Sequence, residues 1–152
     1  MGDDARTPNR ILVRPFAVED WSTVWAIIHD VATRAETFAY EPVMSEDEAR
    51  RVWITPPPGR VVVAVDPDAD RVLGAANMYA NRPGPGSHVA SGSIMVAADA
   101  RGRGVGRALS RHLIDWARES GFMAVQFNAV VETNAPAVHL YESLGFRRLG
   151  TA

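Results

Sequence analysis

Three glycines alternate with arginines in one short segment of this chain. Residues 101–107 have the sequence Arg-Gly-Arg-Gly-Val-Gly-Arg, between a strand-like run at 94–96 and an amphipathic helical pattern. Glycine lets backbone N–H groups approach a ligand without a Cβ in the way. A helix N-terminus adds unpaired donors and partial positive charge, and arginine adds full charge and forked donors. Together these features predict a binding site for a pyrophosphate group.

Two other phosphate-binding motifs fit the segment poorly. The dinucleotide fingerprint needs G-x-G-x-x-G and an acidic residue about 20 positions further on. Here the glycines are Gly102, Gly104 and Gly106, and the end of the next predicted strand carries Asn128 instead of an acid. The phosphate loop of nucleoside-triphosphate enzymes needs a Gly-Lys-Ser/Thr ending, which this segment lacks. A solvent-exposed glycine turn before a helix is the structural alternative.

The composition is that of an ordinary globular protein. The chain has 152 residues, 47% of them hydrophobic, which is typical of a single domain with its own core. It contains no cysteine, which excludes disulfides, thiolate metal sites and a cysteine nucleophile. The four histidines show no metal-ligand spacing, so we expect no metal.

Charge and hydropathy limit the partners and the location of the protein. A net charge of −2 argues against a nucleic-acid partner. No apolar run approaches the roughly 18 residues of a membrane span, and the polar residues 1–9 are unlike a secretory signal. We therefore expect a cytoplasmic protein with no membrane partner, a flexible tail at 1–9 and one domain at 10–152.

Hydrophobic periodicity predicts both strands and helices. The predicted elements are a strand at 11–15, helices at 19–35 and after Ser45, strands at 61–65, 71–80 and 88–96, a helix from Val105 to Gly121, a strand at 124–131, a helix from Asn134 to Gly145, and a last strand that is short or missing. The strand at 61–65 is apolar on both faces, which is typical of an interior strand. Since one helix separates the strands at 88–96 and 124–131, these two should pair in parallel through a right-handed crossover.

Several helix boundaries carry capping signals. Ser45 begins a capping box, and Asn134 is a favourable N-cap. Gly145 can end the last helix in the left-handed conformation, which would place Phe146 over Tyr141 in a Schellman-type contact.

Two motifs, separated by a helix and a strand, carry a family resemblance. Residues 101–106 match the pattern Arg/Gln-x-x-Gly-x-Gly/Ala, and residues 134–146 match Asn-x-x-Ala-x-x-Leu-Tyr-x-x-x-Gly-Phe. These patterns resemble the acetyl-CoA loop and the second signature of the GNAT superfamily of N-acetyltransferases. The motifs cover about residues 94–146, and the order of elements extends the resemblance to nearly the whole chain. It implies an α/β (α+β) fold: a mixed, mostly antiparallel twisted sheet with a central parallel splayed strand pair, flanked by about four helices.

The resemblance also implies roles for individual residues. The loop at 101–107 would donate backbone N–H groups to the pyrophosphate of acetyl-CoA, the cosubstrate. The strand before it would line the pantetheine, with one backbone N–H polarising the thioester carbonyl. Asn134 would contact the pantetheine arm, and Tyr141 would protonate the departing thiolate. The implied cofactor-binding residues are Ile94, Met95, Val96, Arg101, Gly102, Arg103, Gly104, Val105, Gly106, Arg107, Asn134 and Tyr141.

Transfer of an acyl group to an amine poses two proton problems. An alkylammonium group has a pKa near 10.4, so only about one in a thousand is neutral at pH 7. The leaving thiolate needs a proton, which a tyrosine within hydrogen-bond reach can supply. Tyr141 is the candidate acid, and a core tyrosine stacked on Phe146 is its structural alternative. Direct transfer needs no nucleophilic residue, which agrees with the absence of cysteine.

The general base is open among several candidates. Glu36 is the candidate base, with Tyr40, His88 and a chain of water molecules as alternatives. Their structural alternatives are a solvated helix-end charge, an apolar lid and a surface turn residue. Asn128 lies on an apolar strand, and a buried amide must be hydrogen-bonded, so it either faces the acceptor pocket or ties the splayed strands together. The candidate acceptor-binding residues are Phe38, Tyr40, His88 and Asn128.

The segment at 36–48 resembles the branch of the superfamily that acts on small amino-acid-like amines, including phosphinothricin acetyltransferases. The resemblance thus implies direct, acetyl-CoA-dependent acetylation of a small amine. A non-catalytic acyl-CoA sensor and a protein or peptide N-acetyltransferase are the alternatives. The chain ends soon after Phe146, where the family has a long last strand. The sheet edge near the acceptor would then be open, truncated or supplied by a partner in a homodimer.

Overall fold

The computed structural model describes residues 10–34 and 44–151. In chain order the elements are β1 (Leu12–Pro15), α1 (Trp21–Arg34), α2 (Glu46–Trp53), β2 (Arg60–Asp66), β3 (Arg71–Ala80), β4 (Val89–Val96), α3 (Val105–Glu119), β5 (Ala124–Val125) and α4 (Ala135–Ser143). One-turn 3-10 helices precede α1, β4 and α3 at Val18–Asp20, Gly84–Gly86 and Ala98–Ala100.

The strands form one five-stranded sheet in the order β1-β2-β3-β4-β5. All neighbours are antiparallel except β4 and β5, which pair in parallel. The mixed, mostly antiparallel sheet with one parallel pair and four helices is therefore confirmed. β2 is an interior strand, as its continuous apolar run predicts, because it pairs with a neighbour on each side.

Helices cover both faces of the sheet. α1 and α2 pack on one face, where Trp53 and Met95 are buried. α3 packs on the other face through a stripe that includes Leu109 and Leu113, both fully buried. Burying each such side chain contributes about 1.5–3 kcal/mol, so the two layers hold the sheet between them.

The predicted caps of three helices are present. Ser45 and Glu48 form a reciprocal capping box at the start of α2, and the Asn134 side chain accepts from the N–H of Ala137 at the start of α4. Gly145 has φ +93°, and the Phe146 N–H donates to the Tyr141 carbonyl at 3.0 Å, which is the Schellman pattern. α3 ends in the same way before Gly121, as predicted.

β5 is much shorter than the predicted strand at 124–131. Only Ala124 and Val125 pair with β4, and the last bond to it is from the Gln126 N–H to a β4 carbonyl, 2.8 Å. Ala129 then adopts φ +53°, which lies outside the extended region that a strand requires. The prediction for 126–131 was therefore wrong, and this segment leaves the sheet beside β4.

Some predictions concern residues that the structure does not describe. The tail at 1–9 and the loop with Glu36, Phe38 and Tyr40 are not described. The described residues after α4, 144–151, contain no last strand. Within the described ranges, no helix is both long enough and apolar enough to cross a bilayer.

Candidate active site

The N-terminus of α3 lacks the kind of cap that α2 and α4 have. Its N-cap is Gly104, and no side chain bonds to the first turn. The first intrahelical bond runs from the Ala108 N–H to the Gly104 carbonyl, 3.0 Å. The N–H groups of residues 105–107 precede that bond and have no partner in the described part of the chain. They form a set of donors at the positive end of the helix dipole, which suits an anion.

The glycines of the 101–107 loop have two different functions. Gly102 and Gly104 have φ of +76° and +85°, and a Cβ on either would meet nothing within 4 Å. They are glycines because the backbone turns through the left-handed region, and their outer side is open. A Cβ on Gly106 would instead lie 3.2 Å from Leu140 of α4. The glycine at 106 therefore serves the packing of α3 against α4.

The arginines around this loop are mostly engaged in anchoring it. The Arg103 Nη2 lies 3.0 Å from the Asp66 Oδ2 at the end of β2, and the two side chains are 24% and 19% exposed. The hydrogen bond from Arg103 lowers the pKa of Asp66, so the pair is charged at neutral pH. Arg107 donates to the Ser143 hydroxyl of α4 at 2.9 Å. Arg101 is exposed.

A second ion pair holds the start of the loop. Arg71 at the beginning of β3 pairs with Asp99, in the 3-10 turn between β4 and the loop. The hydrogen bond from Arg71 lowers the pKa of Asp99. The two ion pairs connect both sides of the loop to the ends of β2 and β3, so its backbone is held in place from the sheet.

A cleft opens where β5 diverges from β4. It encloses about 450 Å³, part of it open to solvent. The residues lining it are Gly92, Ser93, Ile94, Phe127, Asn128, Ala129, Val130, Asn134, Ala137 and Tyr141. The cleft therefore lies between β4, the segment after β5 and α4, and three residues of the second signature line it: Asn134, Ala137 and Tyr141.

One edge of β4 faces this cleft with its backbone groups. The Ala97 N–H donates to the Leu73 carbonyl of β3 at 2.8 Å, and the Gln126 N–H donates to the Ala90 carbonyl from the other side at 2.8 Å. Backbone groups alternate in direction along a strand, so odd-numbered residues of β4 face β3 and even-numbered ones face β5 and the cleft. Past the part of β4 that pairs with β5, the residues whose N–H and carbonyl groups face the cleft side are Gly92, Ile94 and Val96.

The three strand residues predicted to bind acetyl-CoA, at 94–96, lie in three different environments. Ile94 lines the cleft. The Met95 side chain is 2% exposed and packs among residues of α1 and α2, while its backbone groups face β3 by the alternation above. Val96 is half-buried against α3. Only the even-numbered residues present backbone donors to the cleft.

Tyr141 stands on α4 with its ring in an aromatic cluster. Its ring stacks on Phe127 at 4.3 Å between centroids and contacts Phe146 at 5.9 Å. Burial raises the pKa of Tyr141 to about 12, so the hydroxyl keeps its proton throughout the neutral range. Asn134, seven positions earlier in the sequence, lines the same cleft.

An amide cluster, made of Asn81, Ser91, Gln126 and Asn128, reaches the cleft through Asn128. The Asn128 Nδ2 donates to the Asn81 Oδ1 at 2.6 Å and lies 3.4 Å from the Ser91 hydroxyl. Gln126 donates to the Asn128 Oδ1 at 3.1 Å. The expectation of a buried Asn128 was wrong: the residue is exposed, because the strand ends before it. It ties the diverging segment to β3 and β4.

His88 lies apart from the cleft. It is exposed just before β4, and its Nδ1 is 3.0 Å from the Pro85 carbonyl. It is not among the residues lining the cleft. Its surroundings are those of a surface turn residue, and the other base candidates, Glu36 and Tyr40, lie outside the described residues.

Comparison with known proteins decides the family. The model described as Acetyltransferase (GNAT) family matches residues 25–146. The chain belongs to the GNAT family of acetyltransferases. A GCN5-related N-acetyltransferase from Kribbella flavida is 54% identical, with a TM-score of 0.91 over 96% of this chain and 88% of that one. The sheet and helices described above are thus a GNAT fold, as the sequence predicts.

Two other GNAT relatives have more specific names. A mycothiol acetyltransferase of Arthrobacter sp. is 31% identical over 95% of this chain and 45% of its own length. A phosphinothricin acetyltransferase of Sinorhizobium meliloti, solved in complex with acetyl-CoA, is 25% identical with a TM-score of 0.81, over 92% of this chain and 76% of that one. The chain spans less than half the length of the curated relatives it matches.

Sequence reasoning missed two residues of this site. Asp66 lies 37 positions from Arg103 and carries no motif that links them. Leu140 lies close to where a Cβ on Gly106 would be, so it accounts for the glycine there. In the second signature it is only an apolar position. A carboxylate at the end of an apolar strand is the one local signal that pointed to Asp66, and it is also typical of an ordinary turn.

Proposed function

We propose that this protein is an N-acetyltransferase that moves the acetyl group of acetyl-CoA directly to the amine of a small, amino-acid-like molecule. The observation that carries the proposal is the uncapped N-terminus of α3, which packs on α4 at Leu140, while α4 also lines the cleft through Tyr141. An anion site beside a narrow cleft matches a cosubstrate with a pyrophosphate and a long acyl-bearing arm. The S. meliloti relative solved with acetyl-CoA supports the same cosubstrate.

The geometry above supports particular residues as those that would hold acetyl-CoA. The N–H groups of residues 105–107, with the turns at Gly102 and Gly104, would hold the pyrophosphate. Ile94 would present a backbone N–H to the acyl end, and Asn134 would contact the pantetheine arm. Acetyl-CoA supplies an activated acetyl group, and the protein supplies alignment and protons.

Tyr141 is proposed as the acid that gives a proton to the leaving sulfur. Its phenol is protonated at neutral pH, as that of an ordinary tyrosine is, and burial raises its pKa further, to about 12. The stack on Phe127 holds the ring at the cleft wall. A thiolate that forms within reach of the hydroxyl can take the proton as the carbon–sulfur bond breaks.

The amide cluster is proposed to bind the acceptor. Its groups are uncharged donors and acceptors at the cleft rim, which suits hydrogen-bonding groups of a small polar molecule. Asn128 belongs to both the cluster and the cleft lining. Phe38, Tyr40 and the candidate base Glu36 precede α2 in sequence, and we propose that they complete the acceptor side.

The proposal is tested by amine-dependent thiol release. The purified protein is incubated with acetyl-CoA and a panel of free amino acids, amino-acid analogues, polyamines and short peptides, and free thiol and acetylated product are both measured. We expect release with a free amino-acid-like amine and little with peptides. Release with peptides alone would favour a peptide acetyltransferase, and binding of acetyl-CoA without release on any amine would favour a sensor.

Loss of the Asp66–Arg103 ion pair should weaken acetyl-CoA binding. In the Asp66→Asn variant the Oδ1 still accepts from the N–H groups of Asp68 and Ala69, but the charge that holds Arg103 is removed. We expect the Kd for acetyl-CoA to rise about 3- to 10-fold, because the loop loses one anchor. Titration calorimetry on the wild type and the variant measures this change.

A matched control separates anchoring from general loss of charge. Asp115→Asn removes the same kind of pair, with Arg118, at the far end of α3, where both side chains are exposed. We expect no change in acetyl-CoA affinity for this variant. Equal Kd values for both variants and the wild type would contradict the anchoring role of Asp66.

A further inference from the structure

Asn77 is a buried amide in the middle of β3. It is 2% exposed, and such a group must be fully hydrogen-bonded to be tolerated. Its Nδ2 donates to the Trp53 carbonyl at the end of α2, 3.3 Å. Its Oδ1 accepts from the backbone N–H of Ser93 in β4, 2.8 Å. Asn77 thus connects a helix on one face of the sheet to the strand that lines the cleft.

The contact lies within the paired part of β3 and β4, whose register runs without a shift. Ser93 lies directly opposite Asn77 in the register, yet its N–H bonds to the side chain of Asn77. The carbonyl of Asn77 lies so close to Gly92 that a Cβ there would collide with it. β4 therefore follows a path at Gly92 and Ser93 that only a glycine at 92 permits.

This path sets the position of the next backbone group that faces the cleft. Gly92, Ser93 and Ile94 are consecutive, and all three line the cleft. Asn77 holds the planar peptide that carries the Ser93 N–H. The peptide with the Ile94 N–H is joined to it through Ser93 alone, in a strand that stays paired with β3 at both residues. An N–H that points into the cleft at the acyl end can polarise a carbonyl only if it is aligned in advance.

We propose that Asn77 is a positioning residue, which holds β4 at Gly92–Ser93 through its side-chain bond to the Ser93 N–H and so aims the Ile94 N–H at the acyl carbonyl of bound acetyl-CoA. The inference rests on the proposed function. Asn77 itself touches neither the cleft nor a reacting atom. Its second bond, to Trp53, ties this alignment to the position of α2.

The test compares acetyl-CoA with CoA, which lacks the acyl carbonyl. Asn77→Ala should lower kcat about 10- to 100-fold and weaken acetyl-CoA binding relative to CoA, with CoA affinity unchanged. Gly92→Ala is the second variant, because its Cβ displaces β4 at the same point while Asn77 stays in place. We expect the same pattern in kcat and in the ratio of the two affinities.

A control measures what general destabilisation does. Asp20→Asn removes a mostly buried carboxylate that pairs with Arg14 before α1, away from the cleft. It should lower Tm and leave kcat and the acetyl-CoA to CoA affinity ratio unchanged. If Asn77 had only a structural role, Asn77→Ala would likewise lower Tm and leave kcat and the affinity ratio unchanged.

The outcomes separate the two proposals. If the wild type is active and both variants keep its kcat and its affinity ratio, the positioning role alone is overturned. Failure of both variants to fold overturns it as well. A wild type that releases no thiol with any amine overturns the proposed function and this inference with it.

Discussion

Tyr141→Phe should bind CoA normally and lose about 10²- to 10⁴-fold in turnover. The change removes one hydroxyl and keeps the ring, so the stack on Phe127 and the contact with Phe146 remain. Without the phenol, the leaving thiolate must depart unprotonated or take a proton from water. Steady-state kinetics with a saturating amine, together with calorimetric titration of CoA, measure the two quantities separately.

The pH profile provides a further check on the same residue. An acid must be protonated to act, and an ordinary tyrosine loses its proton near pH 10. Because burial raises the pKa of Tyr141 to about 12, kcat should show no descending limb from this group below about pH 11. Unchanged turnover in Tyr141→Phe would remove Tyr141 as the acid and leave it as a packing residue of α4.

Gly104→Val should abolish acetyl-CoA binding, with a rise in Kd of at least about 100-fold. Gly104 has φ +85° at the N-cap of α3, and a branched side chain there strains the turn and stands in front of the helix donors. Strain alone would lower stability, so a loss of binding needs a control with the same backbone conformation.

Gly121 offers that control at the other end of the same helix. Its φ is +84°, and a Cβ there would also meet nothing within 4 Å. Gly121→Val should therefore lower stability by a similar amount, about 1–3 kcal/mol, and leave acetyl-CoA affinity unchanged. Equal loss of affinity in both variants would mean that the effect comes from destabilisation. Retained binding in Gly104→Val would mean that the loop is not the phosphate site.

The parts of the fold that the sequence predicts are those with local signals. The stripe of α3, the capping box at Ser45 and the Schellman ending at Gly145 each depend on residues a few positions apart. The left-handed turns at Gly102 and Gly104 follow from residue types, and pyrophosphate binding by this loop stays a prediction. The parallel pairing of β4 and β5 follows from one intervening helix.

The parts that the sequence does not predict depend on distant contacts. β5 ends early because Ala129 has a positive φ, and alanine gives no local sign of it. The role of Gly106 depends on Leu140, and the role of Arg103 depends on Asp66. Such pairs form only when the sheet brings the ends of β2, α3 and α4 together, so no spacing rule identifies them.

A calorimetric titration of the purified protein with acetyl-CoA and, in parallel, with S-acetylpantetheine tests whether the N-terminus of α3 binds the pyrophosphate. Both carry the acetyl thioester, but only acetyl-CoA carries the pyrophosphate that the N-terminus of α3 would bind. We expect saturable one-site binding of acetyl-CoA and binding of S-acetylpantetheine that is weaker by at least about 100-fold. Absence of acetyl-CoA binding, or equal affinity for the two compounds, would contradict pyrophosphate binding at this site.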